Sequence, residues 1–284
     1  MKTADLAAGL DEFFRLDAYP PDDFVEIEEF CREAGIALER DATPEFMQRH
    51  NGLMLHNAEE VERVYSLVFP ADEVLAEVER RAAGRPALIF THHPMDFETS
   101  GRGLLPVGEA SLQRLRDAGI SLYAAHAPLD CHDTISTSRS LARAAGVCVE
   151  EICAGYHGGH AGIIGTIDET PLVAFVERLR KAFEVDRIDV HEHTLGVRRV
   201  AVVAGGAAFP PMMQEAIDRG CDTYLTGDFR VRSGGPWFVE SAPINLVGGS
   251  HYATEALVLR HEMLGWFNSL GLPAEFVSQK DAWR

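Results

Sequence analysis

The sequence predicts an α/β fold of two similar units, and three observations carry that prediction. Segments with helical apolar spacing alternate with short apolar runs bounded by Gly, Pro or His. Each half of the chain passes through the same succession of helix, strand and polar loop. Strands separated by helices imply largely parallel pairing, and ligands of such sheets gather at the carboxyl ends of the strands.

The elements follow in order. Residues 3–15 set Leu6, Leu10, Phe13 and Phe14 at helical spacing, and 24–34 read as a second helix stopped by Gly35. The tract 40–50 is polar and irregular, and Asn51, Gly52, Leu53, Met54 and Leu55 read as a turn entering a strand. Residues 71–83 form a helix with Val74, Leu75 and Val78 as its stripe, ended by Gly84. A buried strand at 87–90 lies between Pro86 and a histidine pair, and a helix at 109–118 leads into a strand at 120–125. Later strands at 200–204, 223–226 and 244–247 end in Gly205 and Gly206, in Gly227 and Asp228, and in Gly248 and Gly249. No linker or low-complexity tract divides the chain. The expected division is a first α/β domain over 1–128, completed by 245–284, and a second over 129–244, with no inserted third domain.

Composition excludes several functions. A chain of 284 residues with 46% hydrophobic content can bury a sizeable core. A formal charge of −18 without a Lys/Arg run argues against nucleic acid as a partner, because a phosphate backbone attracts basic surfaces. The five cysteines show no CxxC spacing, which fits a reducing cytoplasm better than a disulfide framework or a zinc knuckle. Cys131, without a clear base, reads as structural. Asp5, Asp11 and Glu12 near the start, with no long apolar run, suit neither a signal peptide nor a membrane span.

Metal chemistry is the reading the remaining motifs favour. His92 and His93 stand at a strand end before Pro94, where the backbone leaves the sheet and both rings can turn to one side. A solvated loop pair is the alternative. After Gly248, Gly249 and Ser250, a helix with Ala253, Leu257, Leu264 and Phe267 on one stripe puts His251 and Glu255 one turn apart on a single face. A surface ion pair has the same spacing. Asp130, after the strand at 120–125, adds a carboxylate able to bridge cations. Three histidines and two carboxylates suit zinc, iron or manganese better than calcium, which prefers oxygen shells. His126 and Asp228, read as lying at neighbouring strand ends, are candidates for orienting ligands or transferring protons, or for turn and cap residues. The pairs His191/His193 and His157/His160 have no carboxylate at useful spacing, and the Gly-rich stretch 155–162 reads as a turn rather than a phosphate loop.

Several segments together resemble one family. They are NGLML (51–55), THHPMDF (91–97), YAAHAPLD (123–130), VVAGG (202–206), LTGD (225–228) and GSHYATE (249–255). In this order they are similar to the NIF3-like dinuclear metal proteins, the GTP cyclohydrolase 1 type 2 homologs. The resemblance implies a NIF3-like fold of two α/β units with a metal site in the crevice between them, and a toroidal homohexamer. It also implies two divalent ions held by His92, His93, Asp130, His251 and Glu255, and a hydrolase acting on a purine nucleotide. The sequence departs from the family at Phe229, Arg230, Val231 and Arg232, where a lysine and histidines are usual, and at Ala127 and Pro128, where Thr and Asn are. The first departure bears against a catalytic role for that loop. A metal-binding scaffold or regulatory protein without turnover is the alternative function.

Overall fold

The computed structural model describes residues 1–22, 26–98, 103–229 and 241–280. Among the described residues the chain divides into two units, the first comprising 1–129 and 259–280, the second 130–258. Residues 245–258, expected to help close the first unit, lie in the second because their strand is hydrogen-bonded within the second unit's sheet.

In the first unit the helices are α1 (Thr3–Phe14), α2 (Glu26–Glu33), α3 (Leu38–Asp41), α4 (Pro44–Arg49), α5 (Asp72–Ala82), α6 (Glu109–Asp117) and α7 (Ala127–Asp130), whose last residue begins the second unit. The strands are β1 (Gly52–Leu55), β2 (Arg63–Leu67), β3 (Ala87–Thr91), the pair β4 (Asp96–Glu98) and β5 (Gly103–Leu105), and β6 (Ile120–Ala124). The sheet runs β1, β6, β3, β2 and then the strand Ala274–Phe276; only β1 is antiparallel to its neighbour. Every residue of β3 is buried, as expected of a central strand covered on both faces. Ala87 and Ile89 pack with Leu75 and Val78 of α5 and Leu112 and Leu115 of α6. Phe90, pointing the other way, meets Phe14 of α1.

The tract expected to be irregular, 40–50, contains all of α4. Thr43 caps it, accepting the Phe46 N–H at 3.2 Å, with Pro44 in the first turn and His50 left-handed at its end. The cap signal lies in Thr-Pro, which a search for apolar periodicity passes over. Because the Thr43 hydroxyl also donates to the Leu53 carbonyl at 2.5 Å, it ties α4 to β1. Thr43→Ala is therefore expected to cost about 1–2 kcal/mol in urea unfolding, at the upper end for a cap; a loss below about 0.3 kcal/mol would show the tie to be idle.

The second unit holds α8 (Thr137–Ala145), α9 (Leu172–Phe183), α10 (Pro210–Asp218) and α11 (His251–Val258), with β7 (Cys148–Tyr156), β8 (Gly159–Pro171), β9 (Asp189–His191), β10 (Gly196–Val202), β11 (Thr223–Thr226) and β12 (Asn245–Gly248). Its sheet order is β7-β8-β10-β11-β12-β9. Only β10, β11 and β12 are mutually parallel, so the expectation of largely parallel pairing is met in the first unit and corrected in the second. The cause is the β7–β8 hairpin. Its turn places His157 (φ 42°) and Gly158 (φ 79°) both at positive φ, the type I′ geometry that matches strand twist, so the Gly-rich stretch 155–162 is a two-residue turn with the strand ends on either side of it. His193 lies beyond β9, which ends at His191; its N–H donates to Asn245 Oδ1 at 2.8 Å.

A π turn, Leu259–Met263, and the helix Leu264–Ser269 follow α11. The single apolar stripe expected there is split: Ala253 and Leu257 enter the second unit's core, whereas Phe267 packs on Phe90 in the first. No helix among the described residues is long and apolar enough to cross a membrane.

Candidate metal-ligand groups in the two units

In the first unit, β3 delivers His92 and His93 and β6 delivers His126. The chain past β3 is still pinned to the β2 side, with His92 N–H donating to Leu67 O at 3.2 Å and His93 N–H to Val68 O at 3.0 Å. His92 Nδ1 lies 2.9 Å from the Ala125 carbonyl. A carbonyl only accepts, so that nitrogen carries the proton, and the neutral ring has its lone pair at Nε2. The His93 ring stacks on Phe69, centroids 4.4 Å apart, and meets His92 edge-on at 4.5 Å. His126 completes a cluster in which one ring nitrogen from each histidine lies within 4.8 Å of the others. His92 and His93 are buried, so these two are not a solvated loop pair.

Two residues without a site role in the sequence reading hold His126. Asp22, itself 4% exposed, has Oδ2 at 3.0 Å from His126 Nδ1 and accepts the Ala127 N–H at 3.0 Å and Asn51 Nδ2 at 3.3 Å. Asn51 Oδ1 accepts the His126 N–H at 2.8 Å. Asn51 stands in the NGLML segment, which made it visible only as a turn.

In the second unit, Ser250 Oγ accepts the Ala253 N–H at 2.9 Å and starts α11. His251 Nε2 and Glu255 Oε1 lie 3.0 Å apart, one turn along the helix, with the residues 6% and 3% exposed. Burial sets this pair apart from a surface ion pair, since an enclosed carboxylate needs a cation or strong donors. Asp228, also buried, has Oδ2 3.9 Å from His251 Nδ1, beyond direct hydrogen bonding. The strands before His126 and Asp228, read as neighbours, belong to different sheets in different units. Asp130 Oδ1 accepts the Thr137 hydroxyl at 2.6 Å, which orients its carboxylate. Of the segment 229–232, Arg230, Val231 and Arg232 lie outside the described residues.

Gly205 shapes this second group. Its φ is +72°, and a Cβ there would run into Glu255 Oε1 and sit 3.2 Å from His251 Nε2. The backbone is held in place: Gly205 N–H donates to Thr254 Oγ1 at 3.0 Å, and its carbonyl accepts the Gly227 N–H at 3.0 Å. The donor set of imidazoles and carboxylates, most of them buried, fits a first-row divalent ion.

The thiols are not part of either group. Burial pushes Cys153 to about 12 and Cys31 and Cys221 to about 11, so they stay protonated at neutral pH. Cys131 Sγ, also buried, donates to the Tyr156 carbonyl at 3.4 Å.

A family model for Duf34/NIF3 (NGG1p interacting factor 3) matches residues 37–266. The chain belongs to this family. Among Duf34/NIF3 relatives, a Pyrococcus horikoshii protein named GTP cyclohydrolase 1 type 2 homolog is 27% identical over 286 residues, covering 98% of each chain. A Pseudomonas aeruginosa protein of the same name is 29% identical, over 72% of this chain and 79% of its own. Solved structures share the fold. The protein ybgI superposes with a TM-score of 0.73 at 21% identity, covering 99% of this chain and 100% of its own. Reduced HcgD from Methanocaldococcus jannaschii gives 0.69 at 21%, covering 98% of each.

Proposed function

We propose that this Duf34/NIF3 chain is a dinuclear metal protein and a metal-dependent hydrolase acting on a purine nucleotide. The ligand set is His92, His93, Asp130, His251 and Glu255, and the ions are zinc, iron or manganese. The observation that supports the reading most is the buried His251–Glu255 pair, 3.0 Å apart beside a glycine that leaves no room for a side chain. When bound, the two ions would supply Lewis acidity and a water of lowered pKa. The chain's own residues do the remaining work. Asp130 and Glu255 are the carboxylates able to bridge, while the carbonyl of Ala125 fixes the donor nitrogen of His92. His126 and Asp228 serve proton transfer or orientation. The relatives' name points to GTP as substrate, and the family resemblance implies that one water adds to its imidazole ring and opens it and a second releases formate. A homohexamer in the cytoplasm, without nucleic-acid or membrane partners, completes the proposal.

Elemental analysis of the purified full chain tests the ligand set. Wild type is expected to carry two ions per chain, and His93→Ala and Glu255→Ala to lose at least half of that content. Unchanged metal in both variants would sink the set. A metal-loaded wild type that turns over no nucleotide in a broad panel would leave a metal-binding scaffold in place of the enzyme.

A further inference from the structure

We infer that Asp22 is a positioning residue that acts through His126, holding that ring with its proton on Nδ1 and its Nε2 lone pair available on the side of His92 and His93. The inference deepens the proposed metal function and rests on it for its second readout only.

Three observations within the first unit carry it. Asp22 Oδ2 collects donors from His126 Nδ1, Ala127 N and Asn51 Nδ2, at 3.0, 3.0 and 3.3 Å. A carboxylate so placed accepts and cannot donate when ionised, which assigns the His126 proton to Nδ1. Next, Asp22 is itself fixed by its backbone: its N–H donates to Arg49 O at 3.1 Å, and its carbonyl lies 3.4 Å from His50 Nδ1. On that fixed backbone, the Ala127 N–H and Asn51 Nδ2 hold the carboxylate in place against a ring that turns. Finally, Asn51 holds the His126 backbone while the rings of His92 and His93 lie 4.9 and 4.7 Å from the His126 ring. Both the ring's origin and its torsion are set by groups far away in sequence. A carboxylate behind an imidazole removes the tautomer that could not bind a cation or accept a proton at the distal nitrogen.

The tautomer gives a readout independent of metal and of turnover. In metal-free full-length protein, long-range nitrogen–proton NMR of the His126 ring is expected to show the Nδ1–H form alone in wild type. Asp22→Ala should give a mixture of both tautomers. Asp22→Asn, whose amide oxygen can still accept from Nδ1–H, should keep the wild-type form and guards against a variant that merely misfolds. In metal titrations Asp22→Ala is expected to weaken binding by about 10–100-fold, and to add nothing in a His126→Ala background. An Nδ1–H form that persists in Asp22→Ala overturns the inference. So does an equal loss of affinity with and without His126, since a purely structural residue would act in both. Wild-type protein that takes up no metal would refute the proposed function instead, and the tautomer comparison would still decide the role of Asp22.

Discussion

Gly205→Ala is expected to disable the second unit's ligand pair while removing none of its ligands. Two costs combine. An L-residue at φ +72° costs about 1–2 kcal/mol relative to glycine. The added methyl also runs into Glu255 Oε1, and the backbone cannot retreat because it is tied to Thr254 Oγ1 and to Gly227 N. Moving the carbonyl is blocked as well, since a Cβ at Gly227 would already run into Gly205 O: the two glycine backbones are at closest approach. The carboxylate must therefore swing out of its place beside His251. We expect metal affinity to fall at least tenfold and stability by about 2–4 kcal/mol, summing the backbone cost with that of overpacking. Metal titration and urea unfolding measure the two separately. Gly205→Ala combined with Glu255→Ala should regain the overpacking part and leave the backbone part. A single variant with wild-type metal affinity would show that the carboxylate's position is not what matters.

How much of this was legible beforehand depended on what each residue touches. β3, β6, β11 and β12 showed themselves because buried central strands are mostly apolar and are followed within two residues by Gly or His. β7 did not, because its first five residues are exposed and carry Glu150 and Glu151, so no apolar run marks it. The parallel bias of the prediction failed in the second unit for that reason: the edge hairpin supplies two of its three antiparallel pairings, β7–β8 and β8–β10. At the site, His251 and Glu255 were legible because helical spacing alone puts them together. Asp22 was not, since its histidine lies 104 residues away and no local spacing connects the two. Local period reveals which residues share a face, but contacts made by loops wait for the fold. Gly205 is intermediate: a glycine after a strand is visible as a turn, yet its reason, the carboxylate it accommodates, appears only with α11 beside it.

Phe90→Ala is expected to be the costliest change to the first unit, although Phe90 touches no candidate ligand. The side chain is fully buried on the face of β3 opposite α5 and α6. Its ring stacks near Phe14 at 5.8 Å and Tyr123 at 6.0 Å, and meets Phe267 edge-on at 5.5 Å. These partners come from α1, β6 and the helix Leu264–Ser269, so one ring ties the N-terminal helix, the sheet and the returning C-terminal segment. Truncation leaves a cavity that three rigid rings cannot collapse to fill, and a loss of about 3–5 kcal/mol follows. Phe90→Leu, which keeps most of the volume, should cost far less, about 1–1.5 kcal/mol. Against a typical domain stability of about 5–15 kcal/mol, the alanine variant stands near the limit of folding. Because Phe90 lies on β3 two residues before His92, which follows the strand directly, metal affinity of whatever remains folded should fall with stability in the alanine variant and stay near wild type in the leucine variant. If unfolding of Phe90→Ala shows a loss below about 1.5 kcal/mol, the segments joined here are held by the sheet's hydrogen bonds, and the aromatic cluster only fills space.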